Sequence, residues 1–108
     1  MRPAPQLRIR VESSGPRTTL WLCGELDLAS APQLDAVVAE RCATAEEVIL
    51  ELGELSFMDS TGLRSVLQGM ELCAAQDCEL RLGSVSPQVA RLLEVAGVEG
   101  RIPRLAAD

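Results

Sequence analysis

The sequence contains no histidine and no tyrosine, and its only aromatic residues are Trp21 and Phe57. Without histidine, neither a Ser-His-Asp nor a Cys-His catalytic arrangement can form, and histidine cannot serve as a general acid or base. Two aromatic side chains are too few for a platform on which unpaired bases stack. These absences favour a protein that binds over one that catalyses. We therefore predict no enzymatic activity, no catalytic residues, no cofactor and no bound metal.

Long apolar runs and an excess of basic residues are also missing. No stretch approaches the roughly 18 apolar residues of a membrane-spanning helix. The opening segment "MRPAPQ" is not followed by the apolar run of a signal peptide. The formal net charge is −6, whereas nucleic-acid binding needs a basic surface that displaces counterions from phosphates. We expect a cytoplasmic protein with no membrane span and no nucleic-acid partner.

The four cysteines, at positions 23, 42, 73 and 78, form no C-x-x-C pair. Cys42 and Cys73 fall on the apolar faces of predicted helices. We interpret the cysteines as small buried hydrophobic residues rather than as a disulfide framework or a zinc site. In the absence of histidine, only a mixed site of carboxylates and thiolates would be left for zinc.

A chain of 108 residues is the size of one domain, which we place at residues 7–108 behind a flexible N-terminal arm at 1–6. Alternating and β-branched apolar runs predict strands, whereas apolar residues at helical spacing predict helices. Ser30 with Gln33 matches a capping box, and Gly69 predicts a close packing neighbour for its helix. Strands are expected at 7–12, 18–24, 46–52 and 78–83, and helices at 30–44, after 59–62, and at 86–97.

The order β-β-α-β-α-β-α predicts an α/β fold built on a small mixed sheet of four to five strands. The first two strands form an antiparallel hairpin, and strands joined by single helices run parallel through right-handed crossovers. The tail "RIPRLAAD" is the candidate for a short fifth strand, with Pro103 limiting its pairing. Helices are expected to cover mainly one face of the sheet.

The segment "MDSTG", residues 58–62, interrupts an apolar pattern with small polar residues at the start of the second helix. A helix cap explains one such residue, since Asp, Ser and Thr accept the free N–H groups of a first turn. A hydrolase elbow would need glycine at 58, where Met58 stands, and a histidine elsewhere. The signature of aspartyl proteases would need Asp, Ser or Thr, and Gly in succession, but Thr61 intervenes.

A third interpretation treats Ser60 as a covalent switch. A hydroxyl at a helix start is exposed, and a phosphate there is stabilised by free N–H groups and the helix dipole. If the second and third strands are neighbours, loop 25–30 brings Glu25 and Asp27 close to Asp59 and Ser60. The added phosphate would then repel a partner docked on this acidic surface, because like charges at an interface cost several kcal/mol.

Three segments resemble the anti-sigma-factor antagonists, the bacterial STAS-domain family. They are "GELDLASAPQL" (24–34), "VILELGELSFMDSTGL" (48–63) and "SPQVARLLEVAGV" (86–98). The resemblance spans nearly the whole chain and implies a STAS-like fold. It also implies an anti-anti-sigma factor that works by partner switching. Such a protein binds an anti-sigma factor, which is a serine kinase with a histidine-kinase-like ATPase fold, and so releases the sigma factor.

The resemblance implies that the kinase phosphorylates Ser60 to block rebinding, and that a PP2C-type phosphatase reverses this. Thr61 and Gly62 match the following family positions, and Asp27 matches an acidic position in the loop that contributes to the kinase contact. The expected partner-binding residues are Glu25, Asp27, Asp59, Thr61, Gly62, Leu63 and Arg64.

Arg64 departs from the family pattern, because many relatives have a small residue directly after the motif's G-L. A guanidinium one turn into the helix is able to contact the kinase or to pair with the phosphate. An alternative function also stays open. In it, the chain is a scaffold or interaction subunit of a larger signalling or transporter-associated complex, and Ser60 is only a helix cap.

Overall fold

The computed structural model describes residues 6–105, which form four strands and three helices. The elements follow one another in the predicted order. They are β1 (Arg8–Ser14), β2 (Arg17–Leu26), α1 (Ala31–Cys42), β3 (Glu47–Met58), α2 (Ser60–Ala74), β4 (Glu79–Val85) and α3 (Pro87–Ala96). Of the arm predicted at 1–6, only Gln6 lies within the described residues. None of the helices in this part of the chain is long and apolar enough to cross a membrane.

The strands form one mixed sheet in the order β1-β2-β3-β4. The antiparallel hairpin of β1 and β2 and the parallel pairs β2–β3 and β3–β4 are all as predicted. Within residues 6–105, the optional fifth strand is reduced to a single bridge between Leu82 and Arg104. Pro103 precedes that bridge and has no N–H to donate, so the pairing does not extend toward the N-terminus.

The hydrophobic core lies on one face of the sheet. The strand register places Leu20, Leu50 and Leu82 side by side, and all three are fully buried. The helices pack their apolar residues against this face, among them Leu34, Val38, Val66, Cys73, Val89 and Leu93. Because successive side chains of a strand point to opposite faces, Arg10, Trp21 and Glu51 share the other face, which no helix covers in the described part of the chain. Helices therefore cover mainly one face, as predicted.

β3 continues to Met58 instead of ending at Leu52 as predicted. Its added part pairs with the end of β2, where Leu26 lies opposite Met58, and both side chains are buried. Two register shifts interrupt this pair of strands. A bulge breaks the alternation of apolar and polar residues, so the sequence pattern stops before the strand does.

The ends of α2 and α3 are closed by residue types that favour helix termini. The Asp59 side chain caps α2, and the Ser86 hydroxyl caps α3 by accepting a hydrogen bond from the Val89 N–H at 3.3 Å. Gly97 ends α3 in the left-handed conformation, with φ of 71°. These caps depend on neighbours within three residues, so the local sequence is enough to predict them.

The capping box predicted at Ser30 is wrong. Ser30 occupies the N-cap position with helical backbone angles, φ −100° and ψ −15°, and makes no side-chain cap bond to α1. Its hydroxyl instead donates to the Glu25 carbonyl oxygen at 2.9 Å. The Gln33 side chain donates to the carbonyl oxygen of Leu7 at 3.2 Å. Both side chains are therefore used to hold the loop and the N-terminal segment in place.

Gly69 has the close neighbour that the sequence predicts. A Cβ atom at this position would lie 3.3 Å from Cγ1 of Val38. The absence of a side chain therefore lets α2 pack tightly on α1. This packing compensates for the low helix propensity of glycine.

Candidate functional site

Ser60 is the first residue of α2 and follows directly after β3. Its side chain is exposed, and its hydroxyl makes no hydrogen bond to any other residue of the range 6–105. The preceding Asp59 has extended backbone angles, φ −104° and ψ −175°. The chain therefore turns from strand to helix between these two residues and leaves the hydroxyl pointing to solvent.

Asp59 satisfies the first turn of α2. Its Oδ1 accepts a hydrogen bond from the Gly62 N–H at 2.9 Å, and its carbonyl oxygen accepts one from the Leu63 N–H at 3.0 Å. Because Asp59 already supplies the cap, the Ser60 hydroxyl is not needed for this role. The helix-cap interpretation therefore applies to Asp59 and leaves Ser60 unexplained.

Gly62 brings the start of α2 against the end of β2. A Cβ atom at Gly62 would lie 2.5 Å from the Leu26 carbonyl oxygen, 2.9 Å from Leu26 Cγ and 3.0 Å from Met58 Cγ. Such distances are shorter than Cβ atoms tolerate, so only glycine fits without a shift of the backbone. The same approach allows the Asp59 N–H to donate to the Leu26 carbonyl oxygen at 3.3 Å.

Loop 25–30 is held in one conformation by hydrogen bonds of its own. Oδ1 of Asp27 accepts from the N–H groups of Ala29 and Ser30, each at 3.1 Å, and lies at the same distance from the Ser30 hydroxyl oxygen. The Ser30 hydroxyl oxygen in turn accepts from the Asp27 N–H at 3.0 Å. The Asp27 carboxylate therefore orders the loop.

The sequence predicts that this loop lies beside the turn from β3 to α2. The pairing of β2 with β3 places it there. Glu25, Asp27 and Asp59 are all half-buried. Asp59 thus lies at the start of α2, where the helix dipole is positive, and Glu25 and Asp27 flank Leu26, whose carbonyl oxygen accepts from the Asp59 N–H. The arrangement can present an acidic surface, and within residues 6–105 no carboxylate accepts a hydrogen bond from the Ser60 hydroxyl.

The other predicted site residues divide by burial. Arg64 is exposed, Thr61 is half-buried, and Leu63 is only 7% exposed. Gly62 is buried as well. Only part of the motif therefore forms the surface, and the rest holds it in position.

Leu28 belongs to this surface, although the sequence reasoning did not single it out. Its side chain is 73% exposed at the tip of the ordered loop. The available signal was an apolar residue between Asp27 and Ala29, in a connection that is otherwise small and polar. Phe57, whose register partner is Glu25, is also partly exposed near the same edge of the sheet.

Ser65 is a second residue that the sequence reasoning missed. Its hydroxyl is buried between α1 and α2 and donates a hydrogen bond to the carboxylate of Asp35. A polar residue amid the apolar stripe of α2 was the available signal. The contact fixes the two helices that carry the loop and the junction.

The cysteines are largely as interpreted. Cys42, Cys73 and Cys78 are buried, and burial raises the pKa values of the Cys73 and Cys78 thiols above their ordinary range. Cys23 differs, because it is only half-buried on the open face of the sheet, where it accepts a hydrogen bond from Arg8 at 3.5 Å. All four are free thiols.

The cavity of about 450 Å³ on the open face is lined by Arg8, Ile9, Arg10, Trp21, Leu22, Cys23 and Glu54, and so by none of the predicted site residues. Ser60 instead stands at an exposed edge. Ser60 therefore lies outside this cavity.

Comparison with known proteins agrees with this architecture. Residues 9–105 match the family described as "Mlab, STAS domain". The anti-sigma F factor antagonist of Paenibacillus polymyxa is 32% identical over 96 residues, which cover 85% of this chain and 80% of that protein. The anti-sigma-B factor antagonist of Staphylococcus aureus is 32% identical over 77 residues, which cover 70% and 71% of the two chains.

A solved structure shows the same fold. The anti-sigma factor antagonist SpoIIAA in its unphosphorylated form is 26% identical and superimposes with a TM-score of 0.77, covering 94% of this chain and 90% of its own. The phosphorylated form of SpoIIAA, a Bacillus cell fate determinant, is 25% identical with a TM-score of 0.71, covering 94% and 93%. With the family match over residues 9–105, these likenesses show that the chain belongs to the STAS-domain family that includes the anti-sigma factor antagonists.

Proposed function

We propose that this chain is an anti-sigma factor antagonist whose binding to its partner is switched off by phosphorylation of Ser60. The partner is an anti-sigma factor that is also a serine kinase with a histidine-kinase-like ATPase fold, and a PP2C-type phosphatase restores binding. The observation that supports this most directly is the exposed Ser60 hydroxyl, which forms no hydrogen bond to any residue of 6–105 although it begins a helix. The switch operates in the cytoplasm, where ATP and the transcription machinery are found.

In the proposed reaction this chain is the substrate. The Ser60 oxygen forms a bond to the γ-phosphorus of ATP bound to the kinase, the bond from that phosphorus to ADP breaks, and a base on the kinase takes the hydroxyl proton. The kinase supplies the base, the nucleotide and any metal ion. This division fits a site with three carboxylates and an exposed alcohol but no activated nucleophile.

The surface offered to the kinase combines charge with one apolar contact. Glu25, Asp27 and Asp59 form its acidic part, and Leu28 protrudes beside them. We assign Gly62 and the buried Leu63 to positioning the start of α2, because neither offers much surface to a partner. The matching surface on the kinase therefore includes an apolar pocket for Leu28.

Phosphorylation acts through charge at this surface. A phosphate adds about −1.5 to −2 charges at neutral pH, next to three carboxylates. Bringing like charges together at an interface costs several kcal/mol, and each ~1.4 kcal/mol is a tenfold change in affinity. Relatives named as antagonists, and a structural neighbour solved in both unphosphorylated and phosphorylated forms, support the proposal.

The test is phosphorylation of the intact chain by candidate kinases. After incubation with kinase and ATP, the intact mass should rise by one phosphate, and Ser60→Ala should abolish the increase. Ser56→Ala is the matched control, because Ser56 is an exposed serine nearby whose hydroxyl donates to the Gly24 carbonyl oxygen. An increase that persists in Ser60→Ala but disappears in Ser56→Ala or Thr61→Val would move the acceptor away from Ser60.

A binding measurement separates the switch from the scaffold alternative. Ser60→Asp should weaken binding to the kinase by about 10-fold or more, if one added charge costs over ~1.4 kcal/mol. A scaffold in a larger complex would bind its partners equally well with serine or aspartate at this position. Equal binding by the two proteins would therefore contradict the switch.

A further inference from the structure

Arg64 is an exposed cation without an acidic partner in the described part of the chain. It lies in the first turns of α2, and none of the ion pairs found among residues 6–105 involves it. The nearby Asp59 carboxylate is engaged with the Gly62 N–H at 2.9 Å. The Asp27 carboxylate is engaged within its own loop. The guanidinium is thus available for a new negative charge.

Ser60 and Arg64 are four residues apart on the same helix, and both are exposed. Residues at this spacing are neighbours on a helix surface, with about 5–6 Å between their Cβ atoms. An acidic group that precedes a basic one by four residues is the more favourable order, because it agrees with the helix dipole. A phosphate on Ser60 would supply that acidic group.

We propose that Arg64 is the internal counter-charge of phosphorylated Ser60, pairing with the phosphate on the same face of α2. The proposal rests on the function proposed above, in that it concerns the same hydroxyl. A guanidinium presents several N–H donors in a plane and binds phosphate oxygens in pairs, which a single ammonium group does not do.

The pairing gives phosphorylation a second effect on the partner surface. In the unmodified protein Arg64 is exposed on α2 and can reach a docked partner. In the phosphorylated protein the same group is drawn onto the phosphate. Modification therefore adds negative charge and also withdraws a positive charge from the contact surface.

The experiment needs no kinase. Phosphoserine is placed at position 60 during translation, and ³¹P NMR follows the second ionisation of its phosphate, which occurs near about pH 6. A paired guanidinium favours the dianion, so the midpoint in the otherwise unchanged chain should lie about 0.2–0.5 pH units below that of Arg64→Gln. Arg64→Lys should recover part of the difference, and raised salt should reduce it.

Arg91→Gln is the matched control, because Arg91 is an exposed arginine on α3 that joins no ion pair among residues 6–105. Its midpoint should equal that of the unchanged chain. Circular dichroism confirms that each variant is folded before it is titrated. Equal midpoints for the unchanged chain and Arg64→Gln would overturn the proposal. Since the phosphate is installed without enzymes, that result is separate from a failure of kinases to modify Ser60.

Discussion

The geometry of the site depends directly on having a glycine at position 62. The Leu26 carbonyl oxygen and the side chains of Leu26 and Met58 occupy the space that a Cβ would need. The close approach holds the start of α2 on the ends of β2 and β3. It thereby sets the position of Ser60 relative to loop 25–30.

We predict that Gly62→Ala lowers the free energy of unfolding by about 1–3 kcal/mol, the usual cost of forcing extra volume into a packed site. Urea denaturation measures the change. Gly100→Ala is the control, because a Cβ there meets no atom within 4 Å, and its stability should be unchanged or slightly raised. A Gly62→Ala protein as stable as Gly100→Ala would show that the contact is not tight.

Leu28 allows a test of the apolar part of the surface. Burying a leucine side chain contributes about 1.5–3 kcal/mol, so Leu28→Ala should weaken kinase binding by about 10-fold, with stability changed by less than about 0.5 kcal/mol. Val95→Ala provides the comparison, since Val95 is 75% exposed on α3. Isothermal titration calorimetry should show normal binding for Val95→Ala, and equal affinities for both variants would remove Leu28 from the interface.

At the scale of the element, the first turn of α2 assigns capping and exposure to different residues. Asp59 closes the helix end by accepting the Gly62 N–H, while Ser60 is exposed to solvent. In α3 the cap is Ser86, whose hydroxyl is itself buried and engaged with the Val89 N–H. A serine at the start of a helix is therefore not always exposed. In α2 the serine is exposed because an aspartate caps the helix instead.

Removing either cap should destabilise the protein. Asp59→Ala and Ser86→Ala are each expected to lower the free energy of unfolding by about 0.5–2 kcal/mol, as measured by urea denaturation. Only Asp59→Ala should also weaken kinase binding, because it loses a carboxylate beside Ser60. Asp59→Asn keeps a capping oxygen and should recover most of the stability. If Ser86→Ala reduced binding as strongly, a general loss of structure would explain both effects.

At the scale of the molecule, the three buried cysteines Cys42, Cys73 and Cys78 lie where the ends of α1 and α2 meet the start of β4. Cys73 is fully buried, and the desolvation of its thiol, followed by the influence of Cys78 and Cys42, raises its pKa. Desolvation is also the main cause of the raised pKa of Cys78. The Cys73 and Cys78 thiols therefore stay neutral in the folded protein at pH values where they ionise in the unfolded chain.

This difference predicts a loss of stability in alkali. An unfolded thiol ionises near about pH 8.5, so above that pH the unfolded chain binds fewer protons than the folded one, and the free energy of unfolding falls as pH rises. The contribution is fully present below about pH 8.5. Urea denaturation under reducing conditions at about pH 8 and pH 10 should show the decline.

A double variant, Cys73→Ala with Cys78→Ala, should reduce the decline, although its stability is lower at both pH values because of the cavity it creates. Cys23→Ala is the control, since Cys23 is only half-buried on the open face, and it should leave the decline unchanged. A decline of the same size in the double variant would assign the effect to other groups.

The sequence by itself determined the order of the elements, the parallel and antiparallel pairing, and the caps of α2 and α3. The elements and caps depend on residues close together in the chain, and the strand orientations follow from the lengths of the connections between them. The Asp-Ser-Thr-Gly segment was likewise enough to place Ser60 at a helix start, because a cap and a first turn involve only adjacent residues.

Only the tertiary structure decided which residues of the site form its surface. The contact of Gly62 with Leu26, the use of the Ser30 hydroxyl by loop 25–30, and the extension of β3 to Met58 arise when separate segments meet across the sheet. The burial of Leu63 and the exposure of Leu28 follow from the same packing. A linear pattern records which side chains are apolar, but the free energy of burying each one depends on what lies opposite it in the folded chain.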